Sequence, residues 1–373
     1  MRKWLAILVF IAFFAAVMAF GTVEAADEGQ LLIAPQLLEA AGLMTEWQVH
    51  LSLSKVESVE NMFVFDEYLI VMTDHNYLFC INREKGTIQF EFQLVAPGLP
   101  VYHPQYYGDK FWFIVGNELL VVNPHSATAP KPIKLGMVGS GATCSAMRNT
   151  SFIYAAGSDR RLHALVADEY WQTFSASAEN NSLINSLVCD DKFVAFTTDA
   201  GNVVCMSPDE PKPKEYWQRD LVGGIHAPIV RDGQWLYVSV ESGKIHKLSI
   251  TTGLDGWKKQ FQAGAALVDS AIAGREVIYQ YAGVKGFYAI DKEIGTSLWQ
   301  LENGLGLLSE EGDFSHVFAK PGVLIRMNNA DPGKIYSVNL AGVTKFASNT
   351  IDSKMYISSG RGKVMAVGIR AGK

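Results

Sequence analysis

The chain has 373 residues, of which 49% are apolar and 19% charged, with a formal net charge of −6. Such a balance argues against a nucleic-acid-binding surface. The 33 glycines and low charge suit many buried strands joined by tight turns. Length alone suggests two domains, but the repeat traced below replaces them with one ring.

The N-terminus reads as an export signal. Arg2 and Lys3 precede an unbroken apolar run from Trp4 to Phe20, and Val23 and Ala25 offer small residues for cleavage before Ala26. The run of 17 residues is long for a cleaved signal and near the lower limit of a membrane span, so an uncleaved anchor over residues 4–20 is the alternative. Either way the remainder is expected outside the cytoplasm, periplasmic or secreted. Removing residues 1–25 leaves a charge of −7.

Residues 26–44 form a lead-in. Within it Pro35 to Gly42 reads as a short helix, with Pro near its start and Gly after its end. Thr45 to Leu53 then alternates like a strand and carries Trp47.

From there a four-strand pattern recurs. Its clearest line is a second apolar run, at Glu67–Thr73, Phe111–Gly116, Phe152–Gly157, Phe193–Thr198, Trp235–Val240, Val277–Ala282, Val323–Asn328 and Met355–Gly360. The ends of these runs are spaced by 43, 41, 41, 42, 42, 46 and 32 residues. A period in the low forties with short strands is the signature of a β-propeller. Tight turns with Asn76, Gly201, Gly243 and Gly362 lead into third strands such as Tyr77–Asn82 and Lys334–Asn339. A turn glycine follows, with an aromatic four residues on, in the pairs Gly86/Phe90, Gly253/Trp257, Gly295/Trp299 and Gly342/Phe346. Trp171 and Trp217 are expected at the same outer-strand place in copies without the glycine. An aromatic there can fold over the blade and bury on the order of 150–250 Å² against a neighbour.

Seven copies are complete, beginning near residues 60, 98, 142, 184, 225, 267 and 312. The eighth runs from Phe346 to Arg370 with only three strands. The strand around Trp47 is expected to complete it beside Met365, which closes the ring and leaves no unpaired edge. The expected fold is therefore all-β: an eight-bladed propeller of four-stranded antiparallel blades over residues 45–373.

The four cysteines are read as unpaired. Cys80 and Cys205 share a repeat position with Ala164 and Ala289, a small-residue slot in the third strand. Blades three apart cannot bring them within disulfide reach. Cys144 and Cys189 are offset by four repeat positions, roughly 13 Å along a strand, and are also expected free.

The copy running from Gly286 to Trp299 resembles the repeat of pyrroloquinoline-quinone (PQQ)-type propellers. Ala289, Asp291, Gly295 and Trp299 match that family's Ala-x-Asp-x-x-x-Gly-x-x-x-Trp pattern, and the copies at Cys80–Phe90 and Lys247–Trp257 match more loosely. The resemblance implies eight blades docked through tryptophan-type contacts. One branch of the family holds PQQ and Ca²⁺ for dehydrogenase chemistry, with adjacent cysteines facing the quinone; this chain has no adjacent cysteines. The other is the non-catalytic BamB-type branch, compact rings that bind partners through loops. The chain fits that branch in size and departs from it in lacking a lipidation cysteine before Cys80.

The eight histidines are scattered, and none pairs with another His or Cys at a ligand spacing. Asp190-Asp191 reads as a solvated turn. Glu310-Glu311-Gly312-Asp313 falls in a long connection between blades six and seven, where several oxygens suit a hard cation such as Ca²⁺. There is no nucleophile elbow, phosphate loop or zinc-protease helix. Gly139–Ala142 reads as an inter-blade turn. Pro208–Lys214, with three prolines, reads as a protruding loop suited to partner contact.

The expectation is an exported, non-enzymatic, monomeric scaffold for protein partners in the cell envelope, with no nucleic-acid partner. No residue is assigned a catalytic, cofactor-binding or metal role, and no cofactor is expected. The alternatives are a PQQ- and Ca²⁺-dependent dehydrogenase with a degenerate site, or a propeller that binds glycans or another small ligand.

Overall fold

The second strands are the best-buried segments of the chain. Tyr68–Thr73 and Val194–Thr198 contain no residue above the buried class, because each lies between the blade before and the blade after. That is why they read as continuous apolar runs and not as alternating ones. In the computed structural model, which describes residues 30–136, 141–208, 213–331 and 333–370, these strands belong to eight four-stranded antiparallel sheets. Among the described residues, seven clusters of buried side chains each join two neighbouring blades, as Val71 and Phe79 of blade one join Trp47 and Tyr356 of blade eight. The core is thus distributed around the ring.

Blades one to seven use consecutive strands. The eighth is ordered Leu43–His50, Lys363–Ile369, Met355–Ser358, Lys345–Ala347. Trp47 faces Ala366 and Gln48 faces Met365, so the ring closes through the pairing of its two ends. The closing strand begins at Leu43, two residues before the expected start. Pro35–Glu39 is helical, and Gly42 follows with φ +70°. Residues 1–29, which include the export signal, lie outside the described residues, as does most of the Pro208–Lys214 loop. The same holds for Gly139 and Ser140.

The blades dock through tryptophan. Trp47 Nε1 donates to the Arg83 carbonyl at 2.8 Å, Trp217 to that of Ile250 at 2.8 Å, and Trp257 to that of Lys292 at 3.0 Å. Trp299 Nε1 donates to Asn329 Oδ1 at 2.7 Å. Each acceptor belongs to the next blade. The turn glycine has the same partner: a Cβ on Gly86, Gly253 or Gly295 would lie 2.5–2.6 Å from the ring of Trp47, Trp217 or Trp257 respectively. So the glycine does not serve the aromatic four residues after it. It seats the tryptophan of the blade before.

Three expectations are corrected. Blade seven starts at Gly304, not near 312, and its second strand is Phe314–Ala319. Val323–Asn328 is its third strand and Gly333–Asn339 its outer one. The irregular spacings of 46 and 32 came from taking the third strand for the second. Phe346 is consequently no outer-strand aromatic. It lies in the innermost strand of blade eight, packed on Phe318.

The third correction is Trp171, which is 51% exposed. The docking aromatic of blade three is Phe174, opposite Ala164. The seat position there is Tyr170, whose amide bonds the Val166 carbonyl as Gly295 bonds that of Asp291.

Candidate functional site

The turns joining first to second strands, and third to outer strands, gather at one end of the ring, here called the lower rim. Charged residues there stitch blade to blade. Arg83, in the third-to-outer turn of blade one, donates to Tyr356 Oη of blade eight at 3.0 Å and pairs with Asp352. Asp190 accepts from Arg231 at 2.7 Å, and Asp191 from the amide and hydroxyl of Thr150 at 2.8 and 2.9 Å. Lys292 reaches Asp232 at 2.6 Å. Glu310 accepts from Tyr279 Oη at 2.7 Å and from the Arg275 amide at 3.0 Å.

Asp190, Asp191 and Glu310 are therefore committed to inter-blade bonds. Glu310 and Glu311 do not sit in a long connection. They end the first strand of blade seven, Gly312-Asp313 is a tight turn within that blade, and Glu311 pairs with Arg326 at 2.7 Å. Among the described residues no group of three or more His, Cys, Asp or Glu side chains is placed to hold a metal ion.

The histidines are dispersed as their spacing implies. His75 meets Asp74 at 2.8 Å, and His163 lies between Asp159 and Gln172 at 3.0 and 2.9 Å. His103 is packed against Phe63 and Phe65, where burial lowers its pKa. His316 lies 3.4 Å from Ser309 Oγ and 3.4 Å from Tyr336 Oη. A serine beside an imidazole invites a nucleophilic reading, but both residues are fully buried and Ser309 donates to the Ser353 carbonyl at 3.0 Å. Burial, reinforced by the Arg326 guanidinium, pushes His316 down to about 4. A neutral imidazole with no path to solvent is a packing group.

All four cysteines are free. Cys80 faces Phe90 and Cys205 faces Trp217, as Ala289 faces Trp299. The small-residue slot is thus the floor beneath the docking aromatic. Two members of that slot are not evident from the sequence. Lys247, opposite Tyr237, is buried over the Trp235 ring and donates to the Lys292 carbonyl at 2.8 Å. Arg326, opposite His316, sits 3.8 Å from the Phe314 ring centroid. The signal for Lys247 is its place in the loose copy of the repeat motif. Arg326 is hidden by the misplaced frame of blade seven.

Among the described residues, clefts open between blades. One on the lower rim, between blades four and five, has a volume of about 450 Å³ and is lined by Phe193, Tyr216, Arg231 and Ile250. A second, between blades six and seven, of about 290 Å³, contains Glu310, Asp313 and Arg275. The third, of about 560 Å³, is at the opposite end, the upper rim, between blades three and four. It is lined by Ser158, Arg160, Asn180, Asn181, Ser182 and Asp199, with Leu183 and Ala200.

Eight four-stranded blades, a ring closed by its termini and tryptophans seated on the next blade's turn define a propeller of the PQQ-like repeat class. A family model described as "Outer membrane protein assembly factor BamB" matches residues 44–259 and again 201–373, and the chain belongs to that family. No curated protein matches it in sequence. Among solved structures, BamB from Moraxella catarrhalis is similar with a TM-score of 0.65 at 14% identity, over 89% of this chain and 99% of that one. The computationally designed Ika8 protein is similar with a TM-score of 0.66 at 12% identity, over 85% and 98%. At such identities the likeness to the two structures is one of fold.

The quinoprotein branch raises the question of PQQ and Ca²⁺. The donor set does not fit them: the chain has no adjacent cysteines, Asp190, Asp191 and Glu310 are bonded to neighbouring blades, and Glu311 is paired with Arg326.

Proposed function

We propose that this protein is an exported, monomeric, non-enzymatic scaffold that binds protein partners in the cell envelope. The observation that carries the reading is the family match across residues 44–373, to a model described as an outer membrane assembly factor. Two features support it. Asp190, Asp191 and Glu310 of the lower rim are engaged in holding blade to blade, and the serine–histidine contact described above is fully buried. The apolar run at residues 4–20 supports export.

Cell fractionation with a tagged full-length chain tests export, and crosslinking in the intact envelope tests the scaffold role. The expected result is an envelope or periplasmic protein that forms discrete crosslinked species. Retention in the cytoplasm overturns export, and an envelope protein without any adduct overturns the scaffold. If the purified protein given PQQ and Ca²⁺ reduces a dye with an alcohol or sugar, the non-enzymatic part falls.

A further inference from the structure

The turn between second and third strands needs a residue in the left-handed region. Blades one, four, five, seven and eight place Asn76, Gly201, Gly243, Gly322 and Gly362 there. Each donates its amide to the carbonyl three residues back, as Asn76 does to Thr73 and Gly243 to Val240. Blade three makes the same bond, Arg160 amide to Gly157 carbonyl, with an arginine at φ +68°. A side chain other than Gly or Asn in this conformation is strained by about 1–2 kcal/mol. Backbone strain of this kind is retained where the side chain has work to do, and the inference runs from the outlier to the role.

What surrounds Arg160 says what that work is. Its side chain projects from the exposed turn that forms one wall of the upper cleft. The other walls carry the amides of Asn180 and Asn181 and the hydroxyls of Ser158 and Ser182; the Ser182 hydroxyl donates to Asn180 Oδ1 at 2.7 Å, which leaves the Asn180 NH2 free to donate. Asp199 adds one carboxylate, whose Oδ1 accepts from the Leu183 amide at 3.1 Å. No ion pair joins Arg160 to any described residue, although neighbouring blades are stitched by charge along the lower rim. A guanidinium is a planar fork of donors matched to a carboxylate. The amides and hydroxyls can give and take hydrogen bonds with hydroxyl groups. Asp199 disfavours a ligand carrying several negative charges, and the near absence of apolar lining disfavours a greasy one.

We propose that this upper-rim cleft binds a small hydroxylated carboxylate, an acidic sugar, with Arg160 holding the carboxylate and Asn180, Asn181 and Asp199 holding hydroxyls. The site lies off the ring axis, between blades three and four.

Titration of the isotope-labelled protein, followed by amide NMR, tests it with three probes: D-glucuronate, D-glucose and N-acetyl-aspartate. Saturable shifts confined to residues 158–160, 180–183 and 199–200 are expected with glucuronate and not with the other two. Arg160→Gly is the decisive variant, since it restores the residue type that other blades use and relieves the strain. It is expected to fold with an unchanged or raised melting temperature and to weaken glucuronate binding at least tenfold. Absence of shifts with glucuronate overturns the proposal, as does equal binding by Arg160→Gly. Equal or tighter binding of glucose overturns the role of the carboxylate. Equal or tighter binding of N-acetyl-aspartate overturns the sugar and points to an acidic side chain of a partner protein.

Discussion

Trp257 of blade five rests on Gly295 of blade six, so closely that a Cβ on the glycine would lie 2.5 Å from the indole. The glycine also has φ +76°. Two demands therefore meet at one residue, a left-handed backbone and room for a ring that arrives from another blade. Gly42 has a similar φ of +70° with nothing within 4 Å of its added Cβ, and so separates the two demands. Gly42→Ala is expected to cost about 1–2 kcal/mol from backbone strain. Gly295→Ala adds an overpacking cost of about 1–3 kcal/mol. Equal costs in denaturant titrations would remove the seat from the account.

The tryptophans themselves divide sharply. Trp257 and Trp299 are buried between blades with their indole nitrogens bonded, whereas Trp171 is exposed. Truncating either buried ring to alanine is expected to cost about 3–5 kcal/mol. Trp171→Ala is expected to stay within about 0.5 kcal/mol. A destabilisation below about 0.5 kcal/mol at Trp257 or Trp299 would contradict the docking role.

Ring closure converges on Arg83. From blade eight, Trp47 bonds its carbonyl, Tyr356 its Nε, and Asp352 its guanidinium. Trimming the chain before residue 54 removes Trp47 and bares the Lys363–Ile369 strand. It also reopens the apolar cluster that holds Leu51 and Val364. Aggregation and a lowered melting temperature are expected. A trimmed protein that sediments as a monomer and melts unchanged would show that the closing strand is dispensable.

The ring is legible in the sequence because the second strands are buried on both sides, so their apolar runs recur without interruption. Closure is legible because the eighth copy lacks one strand and the N-terminus offers one. Blade seven misleads for the same physical reason that the others do not: Val323–Asn328 is as apolar as a second strand. The true second strand, Phe314–Ala319, carries Ser315 and His316 where other blades carry apolar residues.

Trp171 misleads because a large aromatic three residues before the docking position outweighs the smaller Phe174. What decides the matter is not local. Blade two has only Ile133–Lys134 as its outer strand and supplies no tryptophan. The seat in blade three is therefore free to be Tyr170, which packs against the buried cluster that joins blades two and three. Of the candidate site, the acidic pairs are visible in sequence, but the commitment of Asp190, Asp191 and Glu310 to neighbouring blades is not. Arg160 shows nothing unusual until its backbone is seen.

The thiols give a chemical check on the slot. Burial pushes Cys80 and Cys205 up to about 12. At pH 8 almost no thiolate is present, and the thiolate is the reactive form. Native protein is expected to resist alkylation at both positions, and denatured, unreduced protein to label at all four cysteines. A Cys80–Cys205 crosslink within one chain would overturn the blade assignment.

His316 should leave a mark on acid stability. Its native pKa is lowered to about 4 by burial and by Arg326, against 6.5 for a free histidine. Between those values the unfolded chain binds a proton that the folded chain refuses, so stability rises with pH across that window. The contribution is complete above pH 6.5 and is lost as pH falls toward 4. Each pH unit between the two values is worth about 1.4 kcal/mol, which makes the full effect about 3 kcal/mol. His103 and His246 are also lowered by burial and add slopes of their own, so the difference between wild type and His316→Gln is the informative quantity. That difference is expected to be constant above pH 7 and to fall by up to about 1.4 kcal/mol per pH unit below 6.5. A difference that stays flat from pH 7 to pH 4.5 in urea titrations would mean that His316 titrates as it does in water, and that the interior of blade seven is open to solvent.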